Sequence, residues 1–225
     1  MSRINKIRNR FKTFLEKTIK KRERLQLNSI NKKNLVNDNF SIISSNCVGG
    51  IIYHDLGKKF LSPTINLYFE ARDFIKFLKN FDYYISLELE EDFNKKYNYP
   101  VAKLGDLKLY CVHYDSYKEV KSKWEERCKR INKDNLFVIM SERDFCSEVE
   151  IKEFDQLPYK NKIIFVSKPM PEIKSAYYIP GTENKKEKNQ GIIPVMKYKS
   201  IISGRRFIDD FDYVSFLNNT MEKNK

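Results

Sequence analysis

Between residues 40 and 217, short apolar runs alternate with stretches whose apolar residues recur every three or four positions. The runs FSIISS (40–45), DYYISLEL (82–89), LKLYCVHY (107–114), NLFVIMSERD (135–144), NKIIFVSK (161–168) and SAYYIP (175–180) predict strands. Helical spacing predicts a helix over Val48–Leu56 and another with Ala71, Phe74, Ile75 and Leu78 on one face. Ser116 and Glu119 form a capping-box pattern ahead of a helix with Val120, Trp124, Cys128 and Ile131 inward. A short helix holds Val149 and Ile151, and a closing one carries Phe207, Phe211, Val214 and Leu217. Glu88–Asp92 reads as a solvated acidic turn, and TENKKEKNQG (182–191) as a polar loop. Strands alternating with helices at this spacing imply an α/β fold, a mainly parallel open sheet with helices on both faces (Rossmann-like).

The basic charge is confined to one end. Of a formal net charge of +13, residues 1–35 hold twelve Lys or Arg against Glu16 and Glu23, whereas the rest carries 31 basic and 28 acidic residues. Ile4, Ile7, Phe11, Phe14, Leu15 and Ile19 form one helical stripe. Lys6, Arg10, Lys12, Lys17, Lys20 and Lys21 mostly point elsewhere, while Arg8 and Arg22 intrude on the stripe. A basic amphipathic helix of this kind suits an anionic membrane surface, and equally suits packing on the body or on a sister subunit. Nucleic-acid binding is disfavoured, because the body lacks the basic surface it needs. NSINKKNLVNDN (28–39) reads as a linker, giving an arm and linker over 1–37, one domain over 38–219 and a disordered tail over 220–225.

Cys47, Cys111, Cys128 and Cys146 lie far apart with no C-x-x-C pair. Neither a zinc site nor a disulfide framework is suggested, and a reduced cytoplasmic setting follows. No apolar stretch reaches the roughly 20 residues that span a bilayer, and the start lacks the apolar core of a signal peptide.

In an open parallel sheet, ligands bind outside the carboxyl ends of the strands. Ser44, Ser45, Asn46 and Cys47 follow the first predicted strand. His113, Tyr114 and Asp115 follow LKLYCVHY; Ser141, Glu142, Arg143 and Asp144 follow the next; Ser167 and Lys168 the last. Ser44–Asn46 also suit helix capping. Gly49 and Gly50 complete no phosphate-binding fingerprint. His113, beside Asp115, is the natural proton acceptor at neutral pH, and a structural histidine is the alternative. Glu142-x-Asp144 and Asp210-x-Asp212 are acid-x-acid patterns too unspecific to assign a metal, and none is expected.

From SSNCVGGIIYHDLGKKFLSPTINL onward the chain resembles a bacterial family, a domain of unknown function (number nineteen-nineteen) often labelled exopolysaccharide or capsular polysaccharide biosynthesis protein. The likeness rests on Ser45, Asn46, Cys47, Gly49 and Gly50, on Ser62, Pro63 and Thr64, on His113 and Tyr114, and on Trp124, Arg127, Arg130, Ile131 and Asn132. It runs through NLFVIMSERD to FDQLPYKNKIIF and spans roughly residues 38–218. It implies an α/β fold and an association with surface-polysaccharide loci.

Two function classes follow. In the first, a glycosyltransferase or related group transferase works at the cytoplasmic membrane face on a nucleotide-sugar donor and a lipid-linked or glycan acceptor, with no cofactor. There Ser45, Asn46, Cys47, Gly49, Gly50, Ser62, Thr64, Tyr114, Arg127 and Arg143 bind substrate. His113, with Asp115, Glu142 or Asp144, activates the acceptor hydroxyl. Cys47 as a nucleophile is a lesser alternative. In the second class, a non-catalytic accessory module docks at the membrane through the arm and binds a partner or glycan.

Overall fold

In the computed structural model of the chain, the described residues are 3–93, 96–183 and 191–221, with side chains from Leu15 onward. In chain order the elements are α1 (Arg3–Asn34), β1 (Ser41–Ser44), α2 (Val48–Leu56), α3 (Ala71–Lys79), α4 (Phe81–Ser86), β2 (Glu90–Asp92), β3 (Val101–Leu104), β4 (Leu107–Tyr110), α5 (Tyr117–Cys128), β5 (Leu136–Ser141), α6 (Glu148–Asp155), β6 (Asn161–Val166), β7 (Ala176–Tyr178) and α7 (Tyr213–Leu217). Two sheets result: a four-stranded parallel sheet in the order β1-β5-β6-β7 and an antiparallel sheet in the order β2-β3-β4.

The parallel strands are apolar on both faces because both faces are covered. Ile43, Val138, Met140, Ile164 and Val166 pack with α3, α5, α6 and the antiparallel sheet. Ile42, Phe137, Ile139 and Phe165 turn the other way, toward α2 and α7. The α/β architecture with helices on both faces stands as expected from the alternation of the sequence.

β1 is an edge strand, and side-chain hydroxyls cover its open side. The Tyr53 hydroxyl accepts from Ile42 N at 2.9 Å, and Thr64 Oγ1 accepts from Ser44 N at 3.0 Å. An uncovered row of amides would invite pairing with another chain.

Four sequence expectations change. DYYISLEL is not a strand: α4 carries Phe81 and Tyr84 inward at helical spacing. The acidic stretch is not a plain turn, since Glu90–Asp92 pair with β3. LKLYCVHY does not join the parallel sheet. It is the second arm of a hairpin, Val101–Leu104 against Leu107–Tyr110, turned at Gly105 (φ +61°) and Asp106. The closing helix is broken into a 3-10 turn (Phe207–Asp210) and α7, because Asp212 accepts from Ser215 N and restarts the helix.

The expected linker is partly helix, since α1 runs to Asn34. Its second half is fastened to the body. Arg24 pairs with Asp55 at 3.2 Å and Asp209 at 2.7 Å, and Arg206 pairs with Asp55. Asn31 donates to the Tyr213 hydroxyl at 2.6 Å. Ile4, Ile7, Phe11 and Phe14 of the apolar stripe have side chains outside the described residues, as do most of 182–191 and residues 222–225.

Candidate functional site

The loop after β1 is knotted on itself. Ser44 Oγ donates to the Asn46 carbonyl at 2.7 Å and accepts from Gly49 N at 3.3 Å, while Asn46 Oδ1 accepts from Val48 N at 3.2 Å. Asn46, one residue before the Cys47 N-cap, thus uses its side-chain oxygen on the first amide of α2. Ser62 and Thr64 are buried, 3.1 Å apart, and serve the β1 edge. Tyr114 and Arg127 are buried together: Arg127 donates to the Tyr114 hydroxyl at 2.6 Å, which donates to the Ile65 carbonyl at 2.8 Å. Each of these five residues, expected to hold sugar or phosphate, makes side-chain bonds within the fold.

Gly49 and Gly50 are likewise buried, but they differ in space. A Cβ at Gly49 would sit 2.6 Å from Ser44 Oγ and 3.1 Å from Ile42 Cγ2, where α2 crosses β1. At Gly50 its nearest neighbour would be Ile65 at 3.5 Å, an ordinary contact. Gly49→Ala is expected to cost about 1–3 kcal/mol by overpacking. Gly50→Ala is expected to be neutral or to gain up to about 1 kcal/mol from helix propensity. Urea unfolding of the two variants side by side checks the contrast.

His113 and Asp115 follow the second arm of the hairpin rather than a strand of the parallel sheet. Both are exposed, and His113 N donates to the Asn66 carbonyl at 3.4 Å. Among the described residues no hydrogen bond or ion pair joins either side chain to Glu142 or Asp144.

The loop after β5 separates its two acids. The Glu142 carboxylate accepts from Ser167 N at 2.6 Å, and Arg143 reaches the Ile192 carbonyl at 2.8 Å. Asp144 and Phe145 take successive left-handed backbone conformations (φ +57° and +65°), a strained choice for side chains of this kind. The acid-x-acid pattern does not converge, and among the described residues no group of three His, Cys, Asp or Glu is placed to hold a metal ion.

One extended segment, Leu67–Ala71, ties the strand ends to the hairpin. Cys47 Sγ contacts the Leu67 carbonyl at 3.8 Å, Tyr68 bridges Tyr110, Phe69 N donates to the Ser45 carbonyl at 2.9 Å, and Ala71 N donates to the Asp144 carbonyl at 2.8 Å. With the two-residue period of extended chain, Leu67, Phe69 and Ala71 enter the core while Tyr68 and Glu70 turn outward. Ser45, also buried, has no partner for its Oγ among the described residues.

Asp144 is thus set beside Tyr68, Glu70 and Cys47. Burial pushes its pKa up to about 6; the Glu70 charge adds to this and Arg143 opposes it. Cys47 is pushed up to about 11, by burial first and by the Asp144 charge second. A neutral thiol is a poor nucleophile, and burial favours that form of Cys47.

Tyr68 stacks on Tyr110 at 4.5 Å between ring centroids, Tyr97 stands edge-on to Tyr110 at 5.5 Å, and Tyr99 stacks on Tyr97 at 5.3 Å. The Tyr110 hydroxyl donates to Glu70 at 2.6 Å. Burial, followed by the bonds to Tyr99 and Glu70, raises the pKa of Tyr68 and Tyr110, keeping both phenols neutral donors. An acid able to exchange a proton near neutrality therefore adjoins a partly exposed aromatic wall with hydroxyl and carboxylate edges. Such walls suit sugar rings, which offer C–H faces for stacking and hydroxyls at the rim. None of these tyrosines, nor Glu70, was singled out from the sequence, because only the missed hairpin brings residues 68, 97–99 and 110 together.

The family described as Domain of unknown function (DUF1919) matches residues 18–218. A Haemophilus influenzae (strain Rd) protein, described as an uncharacterized protein, is 41% identical over 204 residues, covering 91% of this chain and 96% of that one.

Proposed function

We infer a function from two premises: the chain belongs to the DUF1919 family, and its strand ends hold an acid of raised pKa against an aromatic wall. The protein is a group transferase of bacterial surface-polysaccharide synthesis, a glycosyltransferase using a nucleotide-sugar donor. Asp144 removes the proton from an acceptor hydroxyl as its oxygen attacks the anomeric carbon of the donor sugar and the nucleoside diphosphate leaves, while the half-buried Tyr68 and Tyr97 seat the acceptor sugar and the buried Tyr110, held by Glu70, backs them. The single observation that carries this reading is Asp144, whose pKa of about 6 leaves it ionised yet basic at cytoplasmic pH. The basic N-terminal helix holds the protein at the cytoplasmic face of an anionic membrane, where a lipid-linked acceptor is met. Support comes from Leu15 and Ile19, which are exposed and unburied by the body.

A panel of nucleotide-activated sugars tests the reading through the melting temperature, since a ligand of the folded state raises it. The donor that does so is then offered with glycan acceptors and transfer is read by mass spectrometry. Tyr68→Ala is expected to weaken acceptor binding about tenfold, in line with about 0.5–1.5 kcal/mol for an aromatic contact, while leaving the donor-induced shift intact. Glycan binding with no donor effect and no transfer would establish the accessory-module alternative instead.

A further inference from the structure

The segment Tyr198–Arg206 is a short hairpin whose place in the fold the reading above does not use. Tyr198 and Arg206 form an antiparallel bridge, and Lys199 N donates to the Arg205 carbonyl at 3.0 Å. Its tip holds Ile201 and Ile202, 78% and 53% exposed. Two adjacent isoleucines standing in water on a tight loop gain nothing from the fold.

The hairpin is bound to α1. Glu23 accepts from Gly204 N at 2.6 Å and from Ser203 Oγ at 3.3 Å, and Lys20 Nζ sits 3.5 Å from the Tyr198 ring centroid. Gly204 lies against the helix backbone so closely that a Cβ there would meet the Lys20 carbonyl at 2.4 Å. Leu15, Ile19 and Glu23 succeed one another every four residues and so share one ridge of the helix. Glu23 thereby holds the hairpin on the ridge that carries Leu15 and Ile19, 43% and 56% exposed. Arg22, three residues on from Ile19, is exposed on this side of the helix, and Lys197 and Arg205 are exposed on the hairpin's flanks; of the carboxylates on this stretch of helix, Glu16 is half-buried and Glu23 is taken up by the hairpin.

We propose that the Ile201–Ile202 tip is a membrane-inserting element that acts together with α1, so that the protein grips an anionic phospholipid surface at two places. The occupant follows from charge complementarity: exposed apolar side chains flanked by Arg22, Lys197 and Arg205 fit acyl chains beneath anionic headgroups. Two elements also supply what one short amphipathic contact lacks, because a second attachment to the same surface is effectively intramolecular. The proposal rests on the membrane seat inferred above and adds to it the residues and the orientation. A hairpin fixed to both α1 and the body would let the domain present one side to the bilayer instead of hanging from a swivelling helix.

Sedimentation of the full chain with phosphatidylcholine/phosphatidylglycerol vesicles is the test, with pure phosphatidylcholine vesicles beside it. The double variant Ile201→Ser/Ile202→Ser is expected to lose at least tenfold in partitioning to anionic vesicles with an unchanged melting temperature, since both side chains are exposed. Ile201→Trp is expected to bind as the wild type does, with its fluorescence quenched by brominated lipid. Equal partitioning of the double variant, or a bound Ile201→Trp protein that is not quenched, would overturn the proposal. So would a wild-type dimer in sedimentation velocity that the double variant abolishes without changing vesicle binding, which would make the tip a contact between copies. Transfer measured on a water-soluble acceptor is independent of all these outcomes, so the transferase reading stands or falls separately.

Discussion

Asp144→Asn is expected to stabilise the protein at pH 7.5 while abolishing transfer. The native state binds the Asp144 proton with a pKa of about 6, against about 3.9 for the unfolded chain. Its contribution to stability is therefore fully present below about pH 4 and is lost as pH rises through about 6. Asn keeps the neutral form at every pH and tolerates the left-handed backbone that residue 144 adopts. The gain is expected at about 1–2 kcal/mol at pH 7.5 after allowance for partial exposure, or roughly 3–6 °C in Tm, and to vanish by pH 4. Melting curves at the two pH values decide it without knowledge of the substrate. If Asp144 is the base, wild-type turnover also rises with pH through a single ionisation near 6, and the variant has no such rise. An Asp144→Asn protein less stable than wild type at pH 7.5 would show that the carboxylate is a structural anchor.

Residues whose burial is signalled by local pattern were legible in the sequence, and residues assembled by distant pairing were not. Val48–Leu56 forms its helix within the bounds that spacing gives, and the apolar runs of β1, β5, β6 and β7 pair in parallel. The hairpin was missed although VAKLGDLKLY carries its signal, two alternating apolar runs around Gly-Asp. That omission moved His113 to an imagined parallel strand and hid the tyrosine wall. DYYISLEL misled because its aromatic and β-branched residues favour strands, whereas burial of Phe81 and Tyr84 at a spacing of three decides for helix. Asp144 was reached through its strand end alone. Its raised pKa was not legible, since it comes first from burial that only the tertiary fold supplies and then from Glu70, next in sequence to Ala71, whose N bonds to the Asp144 carbonyl. The charge of the first 35 residues suggested a detachable arm, but charge says nothing of partners, and Arg24 finds its partners 31 and 185 positions away in Asp55 and Asp209.

Arg24→Met is accordingly expected to cost about 3–5 kcal/mol, the usual penalty for breaking a buried ion pair from one side. Burial opposes the Arg24 charge, yet the bond to Asp209 and the charges of Asp209 and Asp55 raise its pKa all the same, so the cation stays fixed between them. Removing it leaves Arg206 to neutralise Asp55, while Asp209 keeps only backbone support from Arg206 N at 2.5 Å. The uncompensated carboxylate is then the main source of the loss. Adding Asp209→Asn removes that charge, and the double variant is expected to recover part of the stability lost by Arg24→Met alone, although the two changes would simply add if they were independent. Chemical denaturation of the four proteins gives the coupling directly. The same network sets where the helix can be cut: deletion of residues 1–14 leaves every described side-chain contact in place, whereas deletion of 1–25 removes Lys20, Glu23 and Arg24 together with their hold on Tyr198, Gly204, Asp55 and Asp209. The shorter truncation is expected to melt within about 2 °C of the full chain, since surface changes away from such networks stay within about 0.5 kcal/mol, and the longer one to lose cooperative unfolding or melt far lower. Equal melting of the two truncations would show that the buried charges hold nothing together and that α1 is an appendage after all.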